Sequence, residues 1–256
     1  MRLESKKKVT VNGKVFGGSK PLICLPLVAR DETTLLQQAK AILPLTPDLL
    51  EWRIDRFDSV ENIDTCMQAL NALKKRMGTI PLIFTCRVDR EGGCKKISPQ
   101  KRLALLNAAI GSGEAEIVDV ELCNGPEFIE AVKTACQKGG TKLILSHHNF
   151  AATPDEKAIH DQLLLAQDMG ADIAKIAVMP NDYDDVLTLM SATLKARTGV
   201  VKIPIIAMSM GAEGGVTRVA GGLFGSDLTF AIGEASSAPG QIPIAELRQA
   251  MAVLYK

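Results

Sequence analysis

Lys175 stands in the run Asp172-Ile-Ala-Lys-Ile-Ala-Val178, which otherwise reads as a strand buried on both faces. An ammonium in such a place loses its hydration, so it needs a partner, a neutral state or a use. The structural alternative is a stem packed in the strand with a head that snorkels to the strand's end. Freed of its proton, the amine is a nucleophile. One helix upstream, a second apolar run ends Ser146-His147-His148-Asn149, which brings an imidazole within reach. A lysine and a histidine together point to carbonyl chemistry, the amine attacking and the ring moving protons. Arg53, Arg87 and a protonated His148 are the cations that could lower the lysine's basicity. Strand parity alone does not choose between His147 and His148, and His160, beside Asp161 in a helical stretch, reads as a surface residue.

Other charges gather at the ends of apolar runs. In Glu51-Trp52-Arg53-Ile54-Asp55 the period of two puts the three charges on one face and Trp52 and Ile54 on the other. Arg87, Asp119, Glu121 and Met208-Ser-Met210 fall at comparable places. A buried ion network kept only for stability gains little over an apolar core, so the set points to a polar ligand. The stretch Gly211-Ala-Glu-Gly-Gly-Val-Thr-Arg218 could cradle an anion on backbone N–H groups, with the Arg218 guanidinium as a bidentate partner. The small-residue segment Glu234–Gln241 is a connector placed where a lid would lie.

These residues need a frame that brings strand ends together. Strand patterns run over Leu22–Val28, Leu49–Asp55, Pro81–Arg87, Glu116–Leu122, Lys142–His148, Asp172–Val178, Pro204–Met210 and Leu228–Ile232. Helical patterns lie near Glu32–Ile42, Val60–Arg76, Pro99–Ile110, Pro126–Lys138, Pro154–Met169, Asp182–Thr198, Gly215–Gly221 and Pro243–Leu254. Eight β/α pairs over about 235 residues predict an α/β fold, a closed (β/α)₈ TIM barrel whose site lies at the C-terminal ends of the strands. An open doubly wound sheet is the alternative. Val9–Phe16, alternating around Asn12-Gly13, predicts an N-terminal β-hairpin flap. No linker or composition shift divides residues 1–256, so a single catalytic domain is expected.

Composition narrows the function classes. Thirty basic against 29 acidic residues give a net charge of +1, and aromatics are only 4%, so no global field or stacking platform argues for nucleic acid or an anionic membrane. No segment has transmembrane length, and the basic N-terminus lacks the apolar stretch of a signal peptide. Six cysteines without CxxC spacing read as reduced thiols of a cytoplasmic protein, and three histidines are too few for a metal cluster.

Taken in order, the motifs carry a resemblance. Glu51-Trp-Arg53-Ile-Asp55, Phe84-Thr-Cys-Arg87, Asp119-Val-Glu-Leu122 and Ser146-His-His148-Asn-Phe150 are followed by Lys175-Ile-Ala-Val-Met-Pro180 and Met208-Ser-Met-Gly211. Thr217-Arg218, Phe224-Gly-Ser226 and Ser237-Ala-Pro-Gly-Gln241 complete the series. Nearly the whole chain resembles the type I 3-dehydroquinate dehydratases, the Schiff-base dehydroquinases of the shikimate pathway. The resemblance implies that Lys175 forms the imine and that His148 is the proton carrier. It makes Glu91 the carboxylate that orients the histidine and Arg218 the arginine that holds the substrate carboxylate. Glu51, Arg53 and Arg87 fall where substrate polar groups are contacted, and Ser237 and Gln241 lie in the loop that closes.

The implied reaction is the third step of that pathway, dehydration of 3-dehydroquinate to 3-dehydroshikimate, a hydro-lyase activity without metal or cofactor. A homodimer in the cytoplasm is implied as well. One departure is Pro26, where relatives often carry a serine near the substrate; proline also lacks a ladder donor, so an irregular strand is expected there. The competing readings are a Schiff-base class I aldolase acting on a sugar phosphate and a non-catalytic metabolite-binding barrel.

Overall fold

The computed structural model describes residues 2–256. A hairpin comes first, β1 (Val9–Val11) and β2 (Lys14–Phe16), antiparallel about Asn12-Gly13. The alternating frame begins with β3 (Leu22–Leu27), α1 (Glu32–Ile42), β4 (Leu49–Arg53) and α2 (Ile63–Met77). It continues through β5 (Leu82–Thr85), α3 (Pro99–Ser112), β6 (Ile117–Glu121) and α4 (Pro126–Gly139). Next come β7 (Lys142–Asn149), α5 (Glu156–Asp168), β8 (Ile173–Val178) and α6 (Tyr183–Thr198). The chain ends with β9 (Ile205–Ser209), α7 (Gly215–Ala220), β10 (Leu228–Ile232), a short β11 (Ile242–Pro243) and α8 (Ile244–Leu254). No helix among the described residues is long and apolar enough to cross a membrane.

Helix starts follow their caps. The side chains of Asp31, Asn62, Ser98, Asp155 and Asp182 accept backbone N–H groups at the starts of α1, α2, α3, α5 and α6, which relieves the unpaired donors of the first turn. For that reason α2 starts after Asn62 rather than at Val60, and α5 after Asp155 rather than at Pro154.

All strands from β3 onward are parallel, in the order β11-β10-β3-β4-β5-β6-β7-β8-β9. The sheet closes on itself where Ile205 bridges Ser226 and the Asp227 N–H donates to the Ile205 carbonyl at 2.6 Å. The Asp227 carboxylate accepts the Ile205 N–H at 2.7 Å and is gripped by Arg2 and Arg197, so buried ions pin the seam. Helices cover the outer face, and Trp52 packs edge-on against Phe57 and Phe84 at 5.5 and 5.6 Å in the layer between sheet and helices. The fold is the predicted α/β barrel with its hairpin.

The period of two stacks the barrel interior in layers. Cys24, Leu49, Ile83, Ile117, Ile144, Ile173, Ile206 and Leu228, one from each barrel strand, make an apolar floor that Val9, Val11 and Phe16 of the hairpin seal from below. Two residues further along each strand stand Pro26, Glu51, Thr85, Asp119, Ser146, Lys175, Met208 and Phe230. The interior thus turns from apolar to polar within one layer. Pro26 sits in an unbroken β3. Its register with β4 continues to Leu27, while the ladder to β10 stops at Cys24, two residues before the missing N–H.

Candidate active site

Lys175 is 5% exposed. Its Nζ donates to Asp119 Oδ2 at 2.6 Å, lies 3.7 Å from Glu51 Oε1 and sits 4.8 Å from the centre of the Phe230 ring. The cations expected around it are engaged elsewhere. Arg53 is clamped by Asp55 through two bonds of 2.8 and 2.9 Å. Arg87 is clamped by Asp119 at 2.8 and 2.9 Å and by Glu121 at 2.9 Å. His148 is no cation either: burial, then Arg87 and Lys175, push it well below the ordinary histidine range. Carboxylates, rather than positive charges, are the immediate neighbours of the amine, because Arg53 and Arg87, two residues further along their strands, each have a carboxylate within their own reach.

Asp119 is the pivot of this cluster. Burial alone would raise its pKa, but Arg87 and Lys175 more than offset that and hold it well below the carboxylate range. Its Oδ1 also accepts the Ser146 hydroxyl at 2.6 Å. Behind it, Glu121 takes Arg87, the Val88 N–H, Arg102 and Asn124. Arg102 reaches in from α3, donating to Glu121 at 2.5 Å and to the Cys86 carbonyl at 3.1 Å, so a helix outside the barrel fixes two strand ends.

Asp55 departs from the extended strand expected through it. The chain coils at Ile54–Arg56, and the carboxylate accepts the Arg87 and Cys94 N–H groups as well as Arg53. The charge is needed more at the loop than in the ladder.

Glu91 sits on a short turn after β5 and is buried. One of its oxygens accepts both the backbone N–H of His148 at 2.8 Å and the ring Nδ1 at 3.0 Å. The Nδ1–H donated to that carboxylate leaves Nε2 as the proton acceptor. His148 shares the inward parity of Ser146, whereas the His147 ring is 4.0 Å from the other Glu91 oxygen. Burial raises the Glu91 pKa, opposed by a thiol bond from Cys123.

Arg218 is buried on α7 without a carboxylate partner among the described residues. It donates to Met208 Sδ and to the Pro239 carbonyl, both at 3.1 Å, and its Nε has no partner. Burial pulls its pKa down to about 10. A buried, uncompensated guanidinium is a receptor for an anion. Two donors of the glycine-rich stretch beside it are already used. The Gly215 and Thr217 N–H groups are spent on the Ala212 and Gly214 carbonyls. Gly214 is required by close packing, since a Cβ there would lie 2.2 Å from the Ser209 carbonyl oxygen.

These groups face one cavity at the C-terminal ends of the strands. Its wall holds Glu51, Arg53, Arg87, Glu91, His148, Lys175, Arg218, Ser237 and Gln241, the nine residues to which the resemblance gave a role, while Asp55, Asp119 and Glu121 stand behind it. Ser237 and Gln241 arch over the mouth and bond each other, the Ser237 N–H to Gln241 Oε1 at 2.9 Å and Gln241 Nε2 to Ser237 Oγ at 3.2 Å. Met208 and Met210, at the strand end noted in the sequence, join Phe150 and Phe230 in an apolar side whose two rings the charge pattern gave no reason to pick out. The inward parity of Phe230 on its strand was the available signal.

Comparison with known proteins identifies the family. Residues 23–256 match the type I 3-dehydroquinase family. A 3-dehydroquinate dehydratase from Albidiferax ferrireducens is 42% identical over 256 residues, 99% of this chain and 97% of that protein. The crystal structure of 3-dehydroquinate dehydratase from Geobacillus kaustophilus superposes with a TM-score of 0.96 at 40% identity, covering 99% of this chain and 98% of that one. The type I enzyme of Clostridium difficile, crystallised with covalently modified comenic acid, gives a TM-score of 0.94 at 38% identity over 97% and 98% of the two chains. The chain belongs to the type I 3-dehydroquinase family.

Proposed function

We propose that the protein dehydrates 3-dehydroquinate to 3-dehydroshikimate through an imine on Lys175. The observation that carries this reading is a single cavity lined by a lysine amine, an imidazole kept neutral and a guanidinium without a counter-ion. Arg218 takes the substrate carboxylate, and Glu51, Arg53 and Arg87 take its hydroxyl and carbonyl oxygens. Lys175 attacks the C3 ketone and water departs, leaving a protonated imine. That electron sink acidifies the C2–H, so His148 removes a proton and an enamine forms. The electrons return through C1 as its hydroxyl leaves with the proton from His148, and hydrolysis of the imine frees product and lysine.

Glu91 sets the tautomer that leaves Nε2 free for this work, and Ser237 and Gln241 close over the bound substrate. A single catalytic domain spans residues 1–256 in this reading, working in the cytoplasm as a homodimer, which rests on the family resemblance and is tested by sedimentation of the purified chain. Mixing protein with 3-dehydroquinate should give the ultraviolet absorbance of a conjugated enone; none would overturn the reading.

A further inference from the structure

Two carboxylates flank the Lys175 nitrogen, and they share little beyond charge. Asp119 touches Nζ at 2.6 Å from below, away from the cavity wall. Both of its oxygens are held by Arg87, and Ser146 donates a third bond at 2.6 Å. Glu51 is 3.7 Å from Nζ, receives one hydroxyl, from Thr85 at 2.9 Å, and lines the cavity. A carboxylate gripped by a guanidinium and a hydroxyl is a poor base. A carboxylate that opens on the cavity can exchange protons with what binds there.

The chemistry needs one of each kind. An ammonium and a ketone give an iminium and water, and the nitrogen carries one positive charge at both ends. In between, two protons must travel from nitrogen to the ketone oxygen so that it departs as water. Resting on the imine reading above, we propose that Asp119 is the fixed counter-ion of the Lys175 nitrogen and that Glu51 is the shuttle.

Glu51 takes the first proton from the ammonium. The freed lone pair then forms the C–N bond while the carbonyl π electrons move to oxygen, which takes that proton back from Glu51. Glu51 next removes the second proton from nitrogen and delivers it to the carbinolamine hydroxyl as the C–O bond breaks. The nitrogen lone pair forms C=N, water leaves and Glu51 is again a carboxylate. Asp119 exchanges no proton at any stage. It touches the reacting nitrogen throughout and keeps the imine protonated, the form from which His148 can take the C2 proton. That makes it a catalytic residue.

Borohydride reduces the protonated imine, so the yield of reduced adduct on Lys175 against pH reads the two roles separately. An opposite charge at contact distance typically moves a pKa by ~1–3 units. In Asp119→Asn the alkaline pH at which trapping falls off should therefore drop by that amount. Glu51→Gln should keep the wild-type fall-off but slow adduct formation by ~10²–10⁴-fold, the usual worth of a positioned acid-base group. Ser146→Ala removes a donor from Asp119, leaves more negative charge facing Nζ and should move the fall-off upward; it carries the test if Asp119→Asn does not fold. A fall-off unmoved in Asp119→Asn, or unmoved or lowered in Ser146→Ala, overturns the counter-ion role. Trapping as fast in Glu51→Gln as in wild type overturns the shuttle. Wild-type protein that turns substrate over yet yields no adduct condemns the imine reading itself.

Discussion

One carboxylate oxygen of Glu91 receives two hydrogens from His148, the backbone N–H at 2.8 Å and the ring Nδ1–H at 3.0 Å. That pairing fixes the ring plane and leaves Nε2 unprotonated on a residue that lines the cavity. In Glu91→Ala the ring loses its orienting partner. Its turnover should fall toward the lower end of a general base's worth, ~10²-fold, while imine trapping persists. Turnover equal to wild type, measured as enone formation, would contradict this role.

The pH dependence follows from the same ring. Burial, then Arg87 and Lys175, hold the folded-state pKa of His148 well below its ordinary value, so the free enzyme keeps a neutral base at and below pH ~6.5. The acid limb of kcat/KM should lie below that pH. Stability runs in the same direction, because between the two pKa values the unfolded chain binds the extra proton and stability falls as pH falls through ~6.5. Titration of kcat/KM from neutral to acid checks it, and an acid limb at or above the ordinary histidine value would contradict it.

Arg218→Met removes the cavity's unpaired guanidinium. Charge-assisted bonds are worth ~1.5–3 kcal/mol, which corresponds to a rise in KM of ~10–10²-fold. Arg218→Lys should recover part of the binding, since a point charge replaces the planar fork. Steady-state kinetics with thermal unfolding as control decides this, and an unchanged KM for Arg218→Met rules out the anchor.

Gly240 lies in the loop over the mouth with φ +75°, and a Cβ there would stand 2.0 Å from the Gly211 carbonyl oxygen. That clash is backbone against backbone, so no side chain can yield. Gly240→Ala should hold the loop off its seat and change kcat and KM together, with little effect on thermal stability because the loop adds no layer to the core. Wild-type kinetics would show that the contact is dispensable.

Asp227 closes the barrel seam from below, where it meets Arg2, Arg197 and the Ile205 N–H. Asp227→Ala strands two buried guanidinium groups, a change worth ~3–5 kcal/mol. At ~2–4 °C per kcal/mol for a chain of this size, the melting temperature should drop by roughly 6–20 °C. Calorimetry reads it directly, and an unshifted melting temperature would show that the seam is held by other contacts.

The barrel was legible because strand alternation and helix caps are local. Ile173, Lys175 and Ala177 announce one face of a strand whatever lies beside it, and Asn62 or Asp155 marks a helix start within a turn. Relations across the barrel were not legible. Asp119 reads as one inward charge among several, and only closure of the sheet sets it against Lys175, 56 positions away. Parity within β7 could not rank His147 against His148, because the inward face of a strand is defined by its neighbours, here the Ser146 and Lys175 register with β8. The glycines of Gly211–Arg218 suggested anion binding, yet Gly214 answers to a carbonyl that sequence spacing does not reveal.

In the mechanism proposed above, the Lys175 nitrogen becomes covalently joined to C3 of the substrate. Borohydride added during turnover of 3-dehydroquinate, followed by peptide mass spectrometry, tests it most directly. The peptide containing Lys175 should gain the mass of the reduced adduct, and Lys175→Ala should yield none. Steady formation of the enone product with Lys175 unmodified under borohydride would contradict an imine on this lysine.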